Sequence, residues 1–143
     1  MDDVAARNVA AARAMLAAFS AGDPGPLLAH VAPDVRYEAP FYPTMASPQS
    51  RDELAAMLEQ VTLRFSEVEY QVVDAFAAQD PDVVVVECRG HHVVAGTGRP
   101  YENHYVMILR FVDGLVVHWR EFSNPDVYRR ATAPLEGAPP EGP

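Results

Sequence analysis

Tyr101-Glu-Asn-His-Tyr-Val-Met-Ile-Leu-Arg-Phe-Val-Asp-Gly-Leu-Val-Val-His-Trp-Arg-Glu-Phe-Ser-Asn124 carries two runs rich in β-branched and aromatic residues on either side of Asp113-Gly114. Glycine takes positive φ without strain and Asp-Gly suits a tight turn, so the stretch predicts two long antiparallel strands. With Asp113 and Gly114 as a two-residue loop, Val112 faces Leu115, Ile108 faces Trp119 and Val106 faces Glu121. Glu121 then lies among apolar side chains. Loss of hydration beside Trp119, Ile108 and Val106 raises its pKa toward the range where a carboxyl exchanges protons. Glu121 is the leading acid/base candidate; the alternative is a structural carboxylate paired with Arg110 or Arg36.

Around this hairpin, a chain of 143 residues, 49% of them hydrophobic, fits one domain with a sizeable core. The net charge of −9 and scattered arginines provide no basic stripe, which argues against nucleic acid or a membrane surface as partner. All 11 basic residues are arginine, so Schiff-base catalysis and the phosphate-gripping lysine of a P-loop are excluded. The single Cys88 can form no internal disulfide and reads as a buried filler. The N-terminal run is alanine-rich and amphipathic, not basic then apolar, and no segment reads as a membrane span; the expected location is cytoplasmic.

Before the hairpin, Val9, Ala12, Met15, Leu16 and Phe19 recur at helical spacing within about 3–21. Asp23-Pro24 starts a short second helix through Leu27, Leu28 and Val31. Val35, Tyr37 and Ala39 share one face of a short strand, and Pro40, Pro43 and Pro48 place Phe41, Tyr42 and Met45 on a loop able to cover a pocket. Ser50-Arg-Asp-Glu53 is a capping box opening a third helix with Leu54, Met57, Leu58 and Val61 on its buried face. Strands follow near 67–77, 82–94, 99–112 and 115–123. Helices first and then a meander predict an α+β fold, a curved antiparallel sheet wrapped around three N-terminal helices. The expected domain is 1–130, with a disordered Pro/Gly-rich tail over 131–143.

This order, with Ala21-Gly-Asp23 after the first helix, resembles the cone-shaped nuclear-transport-factor-like superfamily of ketosteroid isomerases and SnoaL-type polyketide cyclases. Asp82-Val-Val-Val-Val-Glu-Cys-Arg-Gly90, Tyr101-Glu-Asn-His104, Asp113-Gly114 and Arg120-Glu-Phe-Ser-Asn124 more closely resemble the phenazine-biosynthesis A/B proteins. The resemblance implies a small homodimer, paired through the outer face of its sheet, in which Glu121 supplies acid/base help and Tyr101 orients a carbonyl. It also implies that the family's helix-borne histidine and serine fall on Met57 and Val61. The isomerase's base falls on Ala39, and its oxyanion tyrosine and aspartate fall on Met15 and near Met107, so steroid isomerisation is not expected.

An ideal two-residue turn places His104, not Tyr101, on the face of Glu121, whereas the family analogy wants Tyr101 there; a β-bulge in either strand would restore it. His104 is therefore the alternative partner. His91 and His92 point to opposite faces and cannot share a metal. The sequence thus predicts an acid/base enzyme of secondary metabolism that cyclises, condenses or isomerises an apolar, carbonyl-bearing molecule. Glu121 with Tyr101 or His104 would be catalytic, and Met15, Phe19, Tyr37, Phe41, Met57, Val61 and Trp119 would shape the cavity. No metal or other cofactor is implied. A non-catalytic binding or resistance protein is the alternative function.

Overall fold

The computed structural model describes residues 3–20 and 22–135. Its elements run α1 (Asp3–Phe19), α2 (Pro24–Leu28), β1 (Val31–Glu38), α3 (Arg51–Arg64), β2 (Phe65–Glu67), β3 (Tyr70–Ala77), β4 (Val83–Val94), β5 (Pro100–Val112), β6 (Leu115–Phe122) and α4 (Pro125–Thr132). The fold is α+β, as its patterning dictates. α1 buries Ala5, Asn8, Ala12, Met15, Leu16 and Phe19, one stripe at helical spacing, against the concave face of the sheet. Ser50 caps α3 by accepting from Glu53 N–H at 3.1 Å, while the Glu53 carboxylate accepts from Gln49 N–H at 2.7 Å, one residue before the donor a standard capping box would use.

The sheet runs β1-β6-β5-β4-β2, with β3 also paired to β4. Its β3–β6 part is antiparallel, but β1 pairs with β6 in parallel, so the sheet is mixed. Period-2 alternation turns Val84, Val86 and Cys88 of β4 and Tyr101, Tyr105, Met107, Leu109 and Phe111 of β5 into the core. Burial pushes the Cys88 thiol up to about 12, as befits a filler. Asp113 and Gly114 both take positive φ (50° and 82°), the geometry of the tight hairpin turn expected there.

Three elements differ from the sequence reading: the strand expected near 67–77 is split into β2 and β3, with β2 starting directly after α3. Val31 opens β1, because α2 stops at Leu28. The C-terminal end of the domain is helical: Asn124 accepts from Asp126 N–H at 2.9 Å and Pro125 starts α4, which runs to Thr132 into the expected tail. Residues 136–143 of that expected tail lie outside the described residues. No described helix is long and apolar enough to cross a membrane.

Candidate active site

The face of Glu121 is decided one turn away from it. Val112 pairs with Leu115 and Phe111 with Val116, but Arg110 then pairs with His118, so β6 carries one extra residue at Val117. Beyond this bulge Leu109 faces Trp119 and Met107 faces Glu121. The ideal-turn pairing of Glu121 with Val106 is therefore corrected by one residue, and every side chain of β5 opposite the site changes face. Tyr101, Asn103 and Tyr105 come inside with Glu121, and His104 goes outside, where its Nε2 lies 2.6 Å from Glu87 Oε2 and its side chain is 53% exposed. His104 does not reach the cavity.

The cavity, about 890 Å³, lies between α3, the 39–48 loop, α4 and the concave face of β5 and β6. Glu121, Tyr42, Tyr70, Tyr101, Tyr105 and Ser123 line it, and Met57 and Val61 project into it from α3. The other expected lining residues stand elsewhere. Met15, Phe19, Tyr37 and Trp119 are buried in the core behind the walls, and Phe19 stacks on Tyr70 with ring centroids 5.9 Å apart. Phe41 points out, 54% exposed and edge-on to Phe122; its loop neighbours Tyr42 and Met45 cover the cavity instead.

Among the described residues Glu121 meets no arginine. Arg110 pairs with Asp80 at 3.2 Å, and the Glu121 Oε2 accepts from the Tyr37 hydroxyl at 3.1 Å, so the structural Arg–Glu alternative does not hold. Its carboxyl opens on the cavity yet is ringed by protein, and loss of hydration drives its pKa from 4.5 up to about 7. Tyr37 and Trp119 oppose this by favouring the charged form, the latter through a buried Nε1 that has no hydrogen-bond partner of ordinary geometry. Burial also holds Tyr101 and Tyr105 above the ordinary phenol range, so they remain hydrogen-bond donors at neutral pH.

Beside Tyr101 and the loop residue Tyr42, which the sequence reading placed at the site and over it, the structure brings in Ser123, Asn103, His92, Arg64 and Tyr128, to which that reading gave no part. The Tyr42 and Ser123 hydroxyls are 2.7 Å apart, and Asn103 Nδ2 donates to Tyr101 Oη at 2.8 Å. His92 lies inside, 3.3 Å from Tyr105 Oη. Arg64 and Tyr128, hydrogen-bonded to each other, complete the wall between α3 and α4. The alternation Tyr101-x-Asn103-x-Tyr105 puts these three on one strand face, and the bulge turns that face toward Glu121.

A half-wrapped sheet closed by helices thus encloses a cavity with a carboxyl and a row of phenols on its wall. Residues 12–119 match the SnoaL-like domain, and the chain belongs to that family. Its relatives include a phenazine biosynthesis protein, PhzB, of Pseudomonas fluorescens, 38% identical over 63 residues, which are 42% of this chain and 39% of that one. An uncharacterized PhzA/B-like protein of Pseudomonas aeruginosa is 30% identical over 80 residues, 56% of this chain and 53% of the relative. The chain thus spans about half the length, or less, of the curated relatives it matches. A nuclear-transport-factor-2-like protein of unknown function from Burkholderia pseudomallei has the same fold, with a TM-score of 0.79 at 22% identity over 90% of this chain and 98% of that one.

Proposed function

We propose that the chain is a cofactor-independent acid/base enzyme of secondary metabolism that cyclises, isomerises or condenses an apolar, carbonyl-bearing small molecule. The observation that carries this reading is the Glu121 carboxyl, poised at about 7, on the wall of a phenol-lined cavity large enough for a multi-ring ligand. Ionised Glu121 takes a proton from the carbon beside the carbonyl, and the electron pair moves onto the carbonyl oxygen, where Tyr101 donates its O–H. The enolate then either regains the proton from Glu121 at another carbon, or attacks a second carbonyl so that the new alkoxide takes that proton. Protons and electrons balance without an oxidant. The likeness to phenazine-biosynthesis proteins supports a substrate from secondary metabolism.

Met57 and Val61 favour a second reading, because the cavity is apolar where the resembling proteins carry histidine and serine. In that reading the protein sequesters an intact ligand. Incubation with a panel of aromatic and polyketide-like carbonyl compounds separates the two. The enzyme reading expects a ligand that stabilises both wild type and Glu121→Gln but is consumed by the wild type alone, with kcat lower by about a hundredfold or more in the variant. Recovery of the stabilising compound unchanged from wild type would establish the sequestration reading instead.

A further inference from the structure

We propose that His92 is a positioning residue whose fixed Nε2–H donates to Tyr105 and turns the Tyr105 hydroxyl hydrogen toward the cavity, beside that of Tyr101, to receive an oxyanion. The inference rests on the acid/base reading above and names the second donor of its oxyanion site.

His92 is 4% exposed and is held among the rings of Phe65, Tyr70 and Tyr101, with centroids 5.7, 4.9 and 5.5 Å away. Its Nδ1 lies 3.2 Å from the backbone nitrogen of Glu69. A backbone N–H can only donate, so Nδ1 carries a lone pair, and a neutral imidazole then has its single hydrogen on Nε2. The partner of Nε2 is Tyr105 Oη, at 3.3 Å, which therefore accepts. The phenol's own hydrogen must go elsewhere, and Tyr105 lines the cavity beside Tyr101.

Tyr101 is oriented by the same logic. The backbone N–H groups of His104 and Asn124 donate to Asn103 Oδ1 at 2.9 and 3.3 Å, which fixes the amide's orientation and leaves Nδ2 to donate to Tyr101 Oη. Both phenolic oxygens thus accept from the protein, while the Tyr105 hydroxyl reaches Tyr101 and the Tyr101 hydroxyl reaches Tyr42 along the cavity wall, the two hydrogens that a bound oxyanion would draw to itself. Gly90 makes the arrangement possible: a Cβ there would stand 2.4 Å from His92 Nε2 and 2.6 Å from Tyr105 Cε2. Burial lowers the His92 pKa to about 4, so the neutral tautomer persists through the physiological range.

The test uses 4-nitrophenolate as an aromatic oxyanion probe, followed by its absorption shift on binding, together with ¹⁵N NMR of the histidine-labelled wild type. The expected results are an Nε2–H tautomer for His92 that does not titrate between about pH 5.5 and pH 8, and binding of the probe in the cavity. His92→Gln keeps a donor near the place of Nε2 and should retain affinity within about threefold, whereas His92→Asn keeps the acceptor for Glu69 N–H but loses that donor, and should weaken the probe about tenfold. A purely structural role reverses this order, because it is Asn that preserves the backbone hydrogen bond. An Nδ1–H tautomer, or Asn binding as well as Gln, overturns the role of His92 alone. Failure of wild type to bind the probe overturns the oxyanion-site reading itself.

Discussion

At Glu121 the cost of dehydrating a charge exceeds what the Tyr37 hydroxyl and the Trp119 indole return, and this makes the folded protein retain a proton that the unfolded chain gives up. Between pH 4.5 and about 7 the folded state binds more protons, so stability falls as pH rises through that window. Above it the full cost is about 3 kcal/mol, from about 1.4 kcal/mol per pKa unit. Glu121→Gln removes the charge and should therefore be more stable than wild type by up to about 3 kcal/mol near pH 8, with no gain near pH 4. His92 has the opposite sign. Its pKa falls from 6.5 to about 4, so the unfolded chain binds the extra proton and stability is lost as pH drops through that window. In wild type the two slopes oppose each other; in Glu121→Gln the rise due to His92 should stand alone. Urea denaturation across pH measures both, and parallel profiles for the two proteins would contradict this account of Glu121.

At the scale of elements, the site depends on the extra residue at Val117. Deleting Val117 restores the ideal hairpin register, which turns Trp119 out of the core and Glu121 away from the cavity or forces the turn to break. Since Trp119 is buried, the deletion should cost about 3–5 kcal/mol or more in chemical denaturation, far above the effect of Val117→Ala. A deletion variant as stable as wild type would show that the bulge is dispensable. The same residue marks the limit of what the sequence discloses. The Asp113-Gly114 turn, the alternation along β4 and β5 and the Ser50 cap are local signals and are visible as such. Nothing local marks Val117 in Leu115-Val-Val-His-Trp119, because the bulge follows from burying Trp119 under Tyr37 of β1, a long-range contact with ring centroids 5.4 Å apart. Period 2 could therefore identify Glu121 as a candidate and still leave Tyr101 and His104 unresolved. The cavity walls were harder again: the proline-rich loop was recognisable as a cover, but whether Phe41 or Tyr42 turned inward depended on the Ser123 hydroxyl across the sheet.

Across the whole molecule, the convex face of the sheet carries the apolar surface that the cavity does not use. Phe76, Val85 and Ile108 stand in one row across β3, β4 and β5, and Val106 faces Phe122, against which Phe41 packs edge-on. Phe41, Phe76 and Val106 are 54, 49 and 39% exposed, a band of large apolar side chains that water covers in a lone chain. A second copy of this chain, related by a two-fold axis, would bury the band against itself, and this is the homodimer that the family resemblance implies. Two negatively charged protomers repel, so the pairing should strengthen with added salt as the charge is screened. Light scattering at micromolar concentration is expected to report a dimer for wild type and a monomer for Val106→Asp, which puts a carboxylate between Phe122 and Glu87 on that face. Val106 points away from Tyr105 and Met107, so the substitution should leave the pH profile set by Glu121 in place. A wild-type monomer at all salt concentrations would remove the dimer while leaving the site untouched; a Val106→Asp protein that loses the Glu121 profile would instead mean that assembly and site are coupled through β5.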